Sequence, residues 1–498
     1  MDIPAFLFCL SPVFFLMFFA VCFKQSALSL SFWGTLFSAV LVIVYFKTPV
    51  VVVLDAALDG ICTTLPLLLV VFAGILLSSL LTATGSLQRI ADWIMHMVRD
   101  SFHRGTLITL GVGNFMEGAS VIAEPVIAPM LRASGVSPQG SAALSIIGYA
   151  GLMTLEMAGI IITVLSLVTG LPIRELGICS AWLSIPATLC MALCVPFVLP
   201  RAFGGARRIP LAVCCGIILG FVTLGATAFI GVSVAGMIGG CAVIFVLFLL
   251  GPRKLPANRT IACDLLPFVF MLVALLLVNT VPLLKELTYN RLTLAITIVP
   301  VHTITLRPFF SAYLYLFAAF FLAVFLLRVP LPQVGRILAS GMSKGWRASV
   351  AMGLFGAMGQ IIAYSGYGAR FLQLQYNNNI PWILANGLQT YTGGIYPVFV
   401  PLLGWVGTFI TGYGVASLML FGLLQVQSAQ LLGVSAPWLA AGLAVGASLG
   451  SVSSPFKIAI AAPMCDAQGR EGNILRWTIP LGIAASLVIG LILRLVLL

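Results

Sequence analysis

The sequence predicts an all-α integral membrane protein, with about twelve transmembrane helices and two re-entrant hairpins arranged as an inverted repeat. Three observations carry that expectation. First, 61% of the 498 residues are apolar and 8% are charged, which leaves no charged surface for a water-soluble fold of this length. Second, apolar runs recur along the whole chain, each long enough to cross about 30 Å of hydrocarbon as a helix. Lipid offers the backbone no hydrogen bonds, so helices are forced, and the short alternating segments of a β-barrel are absent. Third, two of the apolar stretches are interrupted, one by Gly, Pro and two carboxylates and the other by repeated Gly with Thr411, a pattern that does not suit a lipid-facing helix.

The elements follow in order from loop charge. Met1-Asp2-Ile3-Pro4 has no basic region and no cleavage site, so residues 5–23 read as a retained first helix. Arg89, Arg99 and Arg104; Arg201, Arg207 and Arg208; Arg253, Lys254 and Arg259; and Arg328, Arg336, Lys344 and Arg347 mark the cytoplasmic side. Segment 5–23 then enters, with Asp2 outside and Lys24 inside; 29–46 exits and 61–83 enters. Segments 209–230 and 232–250 form one pair, and 265–284 and 309–328 another, joined by an outside loop. Between the first two basic clusters lie three apolar stretches, 106–133, 139–170 and 172–200, where parity requires an even number of crossings. Stretch 106–133, with Gly111, Gly113, Asn114, Glu117, Gly118, Glu124, Pro125 and Pro129, is the one expected to enter and return. In the second half 348–372 crosses outward, and 376–394, rich in Asn, Gly and Gln, reads as an outside linking arm. Stretch 403–432 is the second hairpin, and 437–465 and 477–498 cross.

The two hairpins echo each other. Gly135-Val136-Ser137-Pro138 closes the first and Gly433-Val434-Ser435-Ala436-Pro437 the second; Phe115-Met116-Glu117-Gly118 resembles Phe409-Ile410-Thr411-Gly412. A long, Gly-interrupted segment follows each. By loop charge the units have opposite orientation, which is the pattern that points to a secondary transporter's binding site. The expected organisation is scaffold helices at 1–60, a first repeat at 61–208, central scaffold helices at 209–328 and a second repeat at 329–498.

Composition also excludes classes. The formal charge of +12 sits in connecting loops, as the positive-inside rule expects, so no nucleic-acid partner follows. The 11 cysteines are scattered without C-x-x-C, and His96, His103 and His302 are too dispersed for a metal site. Asn258-Arg259-Thr260 is a formal glycosylation sequon but falls on the inside, and Trp93, Trp346, Trp382 and Trp477 read as interfacial anchors. No ATP-binding segment, cofactor motif or catalytic Ser/His or Asp/Asp pairing is legible, so the expectation is a transporter, not an enzyme.

Several stretches resemble the lactate permease family. They are Thr82-Ala83-Thr84-Gly85-Ser86, Phe115-Met116-Glu117-Gly118-Ala119 and Glu124-Pro125-Val126-Ile127-Ala128. In the second half they are Leu403-Gly404-Trp405-Val406-Gly407, Thr411-Gly412, Leu420-Phe421-Gly422-Leu423-Leu424-Gln425 and Ser454-Pro455. The resemblance covers roughly residues 60–200 and 330–480. It implies a proton-coupled carrier of lactate and glycolate and, through the wider superfamily, re-entrant hairpins, elevator motion and a homodimer. Three departures stand out. Glu124 occupies a Gly-Phe-Gly-Thr position of the family, Glu156 a segment of small and apolar residues, and Lys457 a Ser-Pro-Gln-Ser position.

These residues form the candidate site. Glu117 and Glu124 lie about two helical turns apart and share a face if the arm is continuous. A carboxylate at mid-membrane costs several kcal/mol unless paired or wet, so Glu117, Glu124 and Glu156 are the candidates for ion coupling. Glu117 has a plainer reading, in which it binds backbone amides at the hairpin bend. Glu156 and Lys457 hold near-equivalent positions in the two repeats, and two readings of Lys457 stand open. It pairs with Glu156 across the pseudo-two-fold, or it binds a substrate carboxylate with help from Ser451, Ser453 and Ser454 and the amides of a broken helix. Thr411, Tyr413 and Ser417 on the second hairpin, with Asn114 and Gly118 on the first, complete the substrate-binding candidates. The expectation is a multi-pass protein of a bacterial-type inner membrane. It would carry a small organic anion, a monocarboxylate such as lactate or glycolate, with H+ or Na+. An ion channel or exchanger without organic substrate is the alternative.

Overall fold

A computed structural model describes residues 3–23, 25–98, 100–250 and 259–498. Asp2, Lys24, Arg99, Arg253, Lys254 and Asn258, used above for topology, lie outside the described residues. Ten helical stretches among those described are long and apolar enough to cross a membrane.

The first half opens with α1 (Ile3–Cys22), α2 (Ala27–Val44) and α3 (Val50–Ala83), followed by α4 (Ser86–Met97). The apolar segment expected at 61–83 is the later part of α3, which starts at Val50, so the boundary drawn at residue 60 falls inside a helix. Asp55 and Asp59 interrupt the hydropathy there, but the helix continues because buried Asp59 finds a partner in His302. The first hairpin rises through α5 (Ser101–Thr106), a π-helical stretch Leu107–Val112 and α6 (Gly113–Gly118), turns, and returns as α7 (Glu124–Ala133). Next comes α8 (Pro138–Ala150), a break, and α9 (Ile160–Thr169). Helices α10 (Ile173–Val198), α11 (Ile209–Phe229), α12 (Val232–Leu250) and α13 (Arg259–Thr280) follow.

The loop expected outside between residues 284 and 309 is not plain loop. It holds α14 (Pro282–Lys285), a π-helical turn and an antiparallel hairpin of β1 (Leu294–Val299) and β2 (His302–Leu306). Alternating β-branched residues drive that pairing. The second half runs α15 (Ala312–Leu326), α16 (Leu331–Ala363) and α17 (Ile380–Thr392). The arm expected at 376–394 is thus mostly helix; Asn379 caps it by accepting from the Trp382 amide at 3.0 Å. The second hairpin is α18 (Tyr396–Thr411) and α19 (Gly414–Leu432). Then come α20 (Ala436–Gly450), a break, α21 (Pro455–Ala461) and α22 (Glu471–Leu497).

Small residues let these helices touch backbone to backbone, which is how apolar helices hold together in lipid. Gly60 of α3 meets Gly356 of α16, and Gly446 of α20 lies against the Pro401 carbonyl of α18. The two interrupted helices meet at their breaks: Ser448 donates to the Ala150 carbonyl at 2.7 Å, and Ser451 contacts Met153 Sδ at 2.9 Å. Arg89 of α4 donates to the buried Asp264 of α13 at 2.6 Å and tethers the amphipathic α4.

Candidate functional site

A cavity of about 1360 Å³ opens between two groups of elements. One wall is α3, α4 and α16. The other is the tip of each hairpin and α21. Ser78, Ser79, Thr82, Gln88 and Arg336 line it toward the ends of α3 and α16 that carry the basic clusters, and Glu117, Glu124, Tyr413, Phe456 and Lys457 line its deep part.

Local sequence explains why polar groups collect there. At the first tip the helix stops after Gly118, and Ser120 takes a left-handed backbone at φ 59°. Glu117 Oε1 then accepts the Ala123 amide at 2.8 Å across the turn. This is the plainer of its two readings, although the same side chain also lines the cavity. Glu124 begins α7, where the helix dipole favours a carboxylate, and Pro125 suits the first turn because it has no amide to satisfy. At the second tip Gly412 has φ 80° and presses on the ring of Phe456, next to Lys457. The helix α8–α9 breaks because Met157, Ala158 and Gly159 have φ of 50°, 52° and 73°, which a right-handed helix cannot contain. Helix α20–α21 breaks at Ser451–Ser453, with Pro455 restarting it.

The charges then meet. Lys457 Nζ donates to the Tyr149 hydroxyl at 2.8 Å and lies 3.7 Å from Glu124 Oε1. The Tyr149 hydroxyl donates to the same Glu124 oxygen at 2.5 Å. The pairing of Lys457 with Glu156 is therefore corrected. Glu156 is fully buried in the break of α8–α9, its Cγ packed against Gly236 of α12, and neither carboxyl oxygen has a hydrogen-bond partner among the described residues. Counting along repeats equates chain positions, but the side-chain direction is set by the extended backbone at Glu156, between two short helical turns.

The remaining candidates divide. Tyr413 reaches the cavity and packs on Phe456 at 5.1 Å between ring centroids. Thr411 is spent on its own turn, donating to the Gly407 and Tyr413 carbonyls, and Ser417 ties the two arms by donating to Gly404. Asn114 braces the first hairpin on α8 through the Gly148 carbonyl at 2.8 Å, and Gly118 allows α12 to approach at Met237. Ser453 bridges Trp405 and the Thr478 carbonyl, so it acts as a clasp behind the cavity. Ser454 Oγ is buried and has no hydrogen-bond partner among the described residues. Tyr149 was not singled out from the sequence; the one hint was a lone phenol among small residues in Gly148-Tyr149-Ala150-Gly151.

Comparison with known proteins gives a family. The family model described as L-lactate permease matches residues 5–498. A Streptococcus iniae L-lactate permease is 24% identical over 86% of this chain and 92% of its own length. An L-lactate permease of Escherichia coli K12 is 25% identical over 97% of this chain and 94% of its own. A glycolate permease of the same organism is 31% identical over 36% of this chain and 29% of its own length.

Proposed function

The chain belongs to the L-lactate permease family, transporters rather than enzymes, and is a multi-pass integral membrane protein; from that premise we propose that it is a secondary active carrier of a small monocarboxylate such as lactate or glycolate, coupled to H+ or Na+, in a bacterial-type inner membrane. The observation that carries this reading is the half-open charge cluster of Lys457, Tyr149 and Glu124 at the deep end of a cavity lined by both hairpin tips.

An ammonium in a mostly apolar cavity is a site for one carboxylate. Arg336 at the exposed mouth supplies a second positive charge along the way in. Glu117, Glu124 and Glu156 are the coupling groups. Glu156, buried with no hydrogen-bond partner among the described residues, is stable only when it carries a proton or faces a cation, which is the property a coupling site needs, and Glu124 already faces the cation Lys457. Residues 50–208, from the start of α3, and 329–498 act as inverted repeats, and the two hairpins are re-entrant. The hairpins and interrupted helices, interlocked at their breaks, move as one body against α3 and α16. The cavity lies on the seam between these bodies, as an elevator-type carrier requires. The assembly is a homodimer.

The test is counterflow of labelled L-lactate and glycolate into proteoliposomes, with pH and sodium gradients imposed separately. Saturable uptake driven by one of the gradients is expected, with Lys457→Met losing at least about 90% of it, since roughly 3–5 kcal/mol rides on a buried charge and its partner. Conductance without saturation, or uptake indifferent to Lys457, would overturn the reading.

A further inference from the structure

Tyr149 is fully buried and joins the two charges at the deep end of the cavity. Lys457 Nζ donates to its hydroxyl at 2.8 Å and also lies 4.6 Å from its ring centroid. An ammonium can only donate, so the phenol oxygen accepts there. Its single proton must then point to Glu124 Oε1, 2.5 Å away. The direct separation of Lys457 and Glu124, 3.7 Å, is too long for a hydrogen bond. The hydroxyl thus stands between an ammonium and a carboxylate that would close on each other without it. The second contact of Nζ is Met153 Sδ at 3.8 Å, a weak acceptor. Among the described residues most of the donor capacity of Lys457 is therefore unspent, and the side chain lines the cavity.

We propose that Tyr149 is a positioning residue that holds Lys457 and Glu124 one hydroxyl apart, so that the ammonium stays available to the carboxylate of the transported acid. The inference rests on Lys457 as the anion site. It implies that the hydroxyl governs affinity. In Tyr149→Phe the ring and its packing remain, but Nζ and the carboxylate close to a direct pair of about 2.8 Å. An incoming acid must then break that pair before it binds. Removing the carboxylate as well removes the competitor.

The experiment titrates L-lactate and glycolate calorimetrically against the full chain in detergent, comparing wild type, Tyr149→Phe, Glu124→Gln and the double variant. Tyr149→Phe is expected to raise Kd about tenfold or more, and the double variant to return to within about twofold of Glu124→Gln alone. A structure of Tyr149→Phe is expected to bring Nζ into hydrogen-bond reach of Glu124. An unchanged Kd overturns the proposal. So does a double variant as weak as Tyr149→Phe, because the hydroxyl would then be a direct ligand. If wild type binds neither acid, the anion reading of Lys457 fails separately. The variant structure still decides the positioning role, since closure of the pair supports it and persistent separation overturns it.

Discussion

His302 is held by two acceptors at once. Its Nδ1 lies 2.8 Å from Asp59 Oδ2 and its Nε2 lies 2.8 Å from the Leu167 carbonyl. The Leu167 carbonyl can only accept, so Nε2 carries a proton, and the Asp59 carboxyl beside Nδ1 favours a second proton on the ring. Burial alone would pull its pKa down, but the hydrogen bond and charge of Asp59, with the Leu167 carbonyl, outweigh it and hold the pKa above the ordinary 6.5. A raised histidine pKa contributes stability that is complete below the unfolded value and is lost as pH rises through the folded value. The melting temperature in detergent should therefore fall as pH rises above the ordinary histidine value of about 6.5, and His302→Gln should flatten that slope. An unaltered slope in the variant would remove His302 as its source. None of this was legible in the chain, where His302 is one of three dispersed histidines and nothing links it to Asp59. Lys457 and Glu124 were legible as charges out of place in apolar segments. Their contact was not, because it joins a hairpin tip to a helix restart more than 300 positions away, with Tyr149 between them.

At the scale of elements, the legible parts were those where composition breaks a rule. Gly, Pro and carboxylates marked the first hairpin, repeated Gly with Thr411 marked the second, and the paired Gly-Val-Ser turns marked where the interrupted helices begin. The arm at 380–392 was hidden by its Asn and Gly content, although Asn379 and Pro381 form an ordinary helix start. The β1–β2 hairpin was hidden by the search for twenty-residue runs, which passes over a five-residue alternation. The same small residues that blur hydropathy do mechanical work. A Cβ at Gly446 would collide with the Pro401 carbonyl, so α18 and α20 must separate to accept one. Gly446→Ala should cost about 1–3 kcal/mol, read as a lower detergent melting temperature, and Gly446→Leu should prevent stable folding. A Gly446→Ala protein as stable as wild type would mean that the second hairpin and the interrupted helix are not closely docked.

For the whole molecule, the decisive property is which end of the cavity is open. Its deep charges sit at the hairpin tips, while its exposed lining, Thr82, Gln88 and Arg336, lies at the end of the bundle that holds Arg89 and Arg104. The opposite end carries the β1–β2 hairpin, clamped by His302 to α3 and to the last turn of α9. On the proposed carrier reading, in which loop charge puts the Arg-rich end in the cytoplasm, the cavity is expected to open inward. The His302 clamp then crosses the seam between the α3 wall and the broken helices, on the side that is shut. A carrier that alternates must release that clamp when it opens outward. An introduced cysteine at Ser79, inside the cavity, should accordingly react with a membrane-impermeant maleimide in inside-out vesicles and hardly at all in right-side-out ones. Saturating L-lactate should slow the reaction. Asp59→Asn, which weakens the clamp without touching the cavity, should shift reactivity toward the outside. Equal labelling from both sides in the unaltered background would describe a pore, and labelling from the outside alone would reverse the topology on which the inward-open assignment rests.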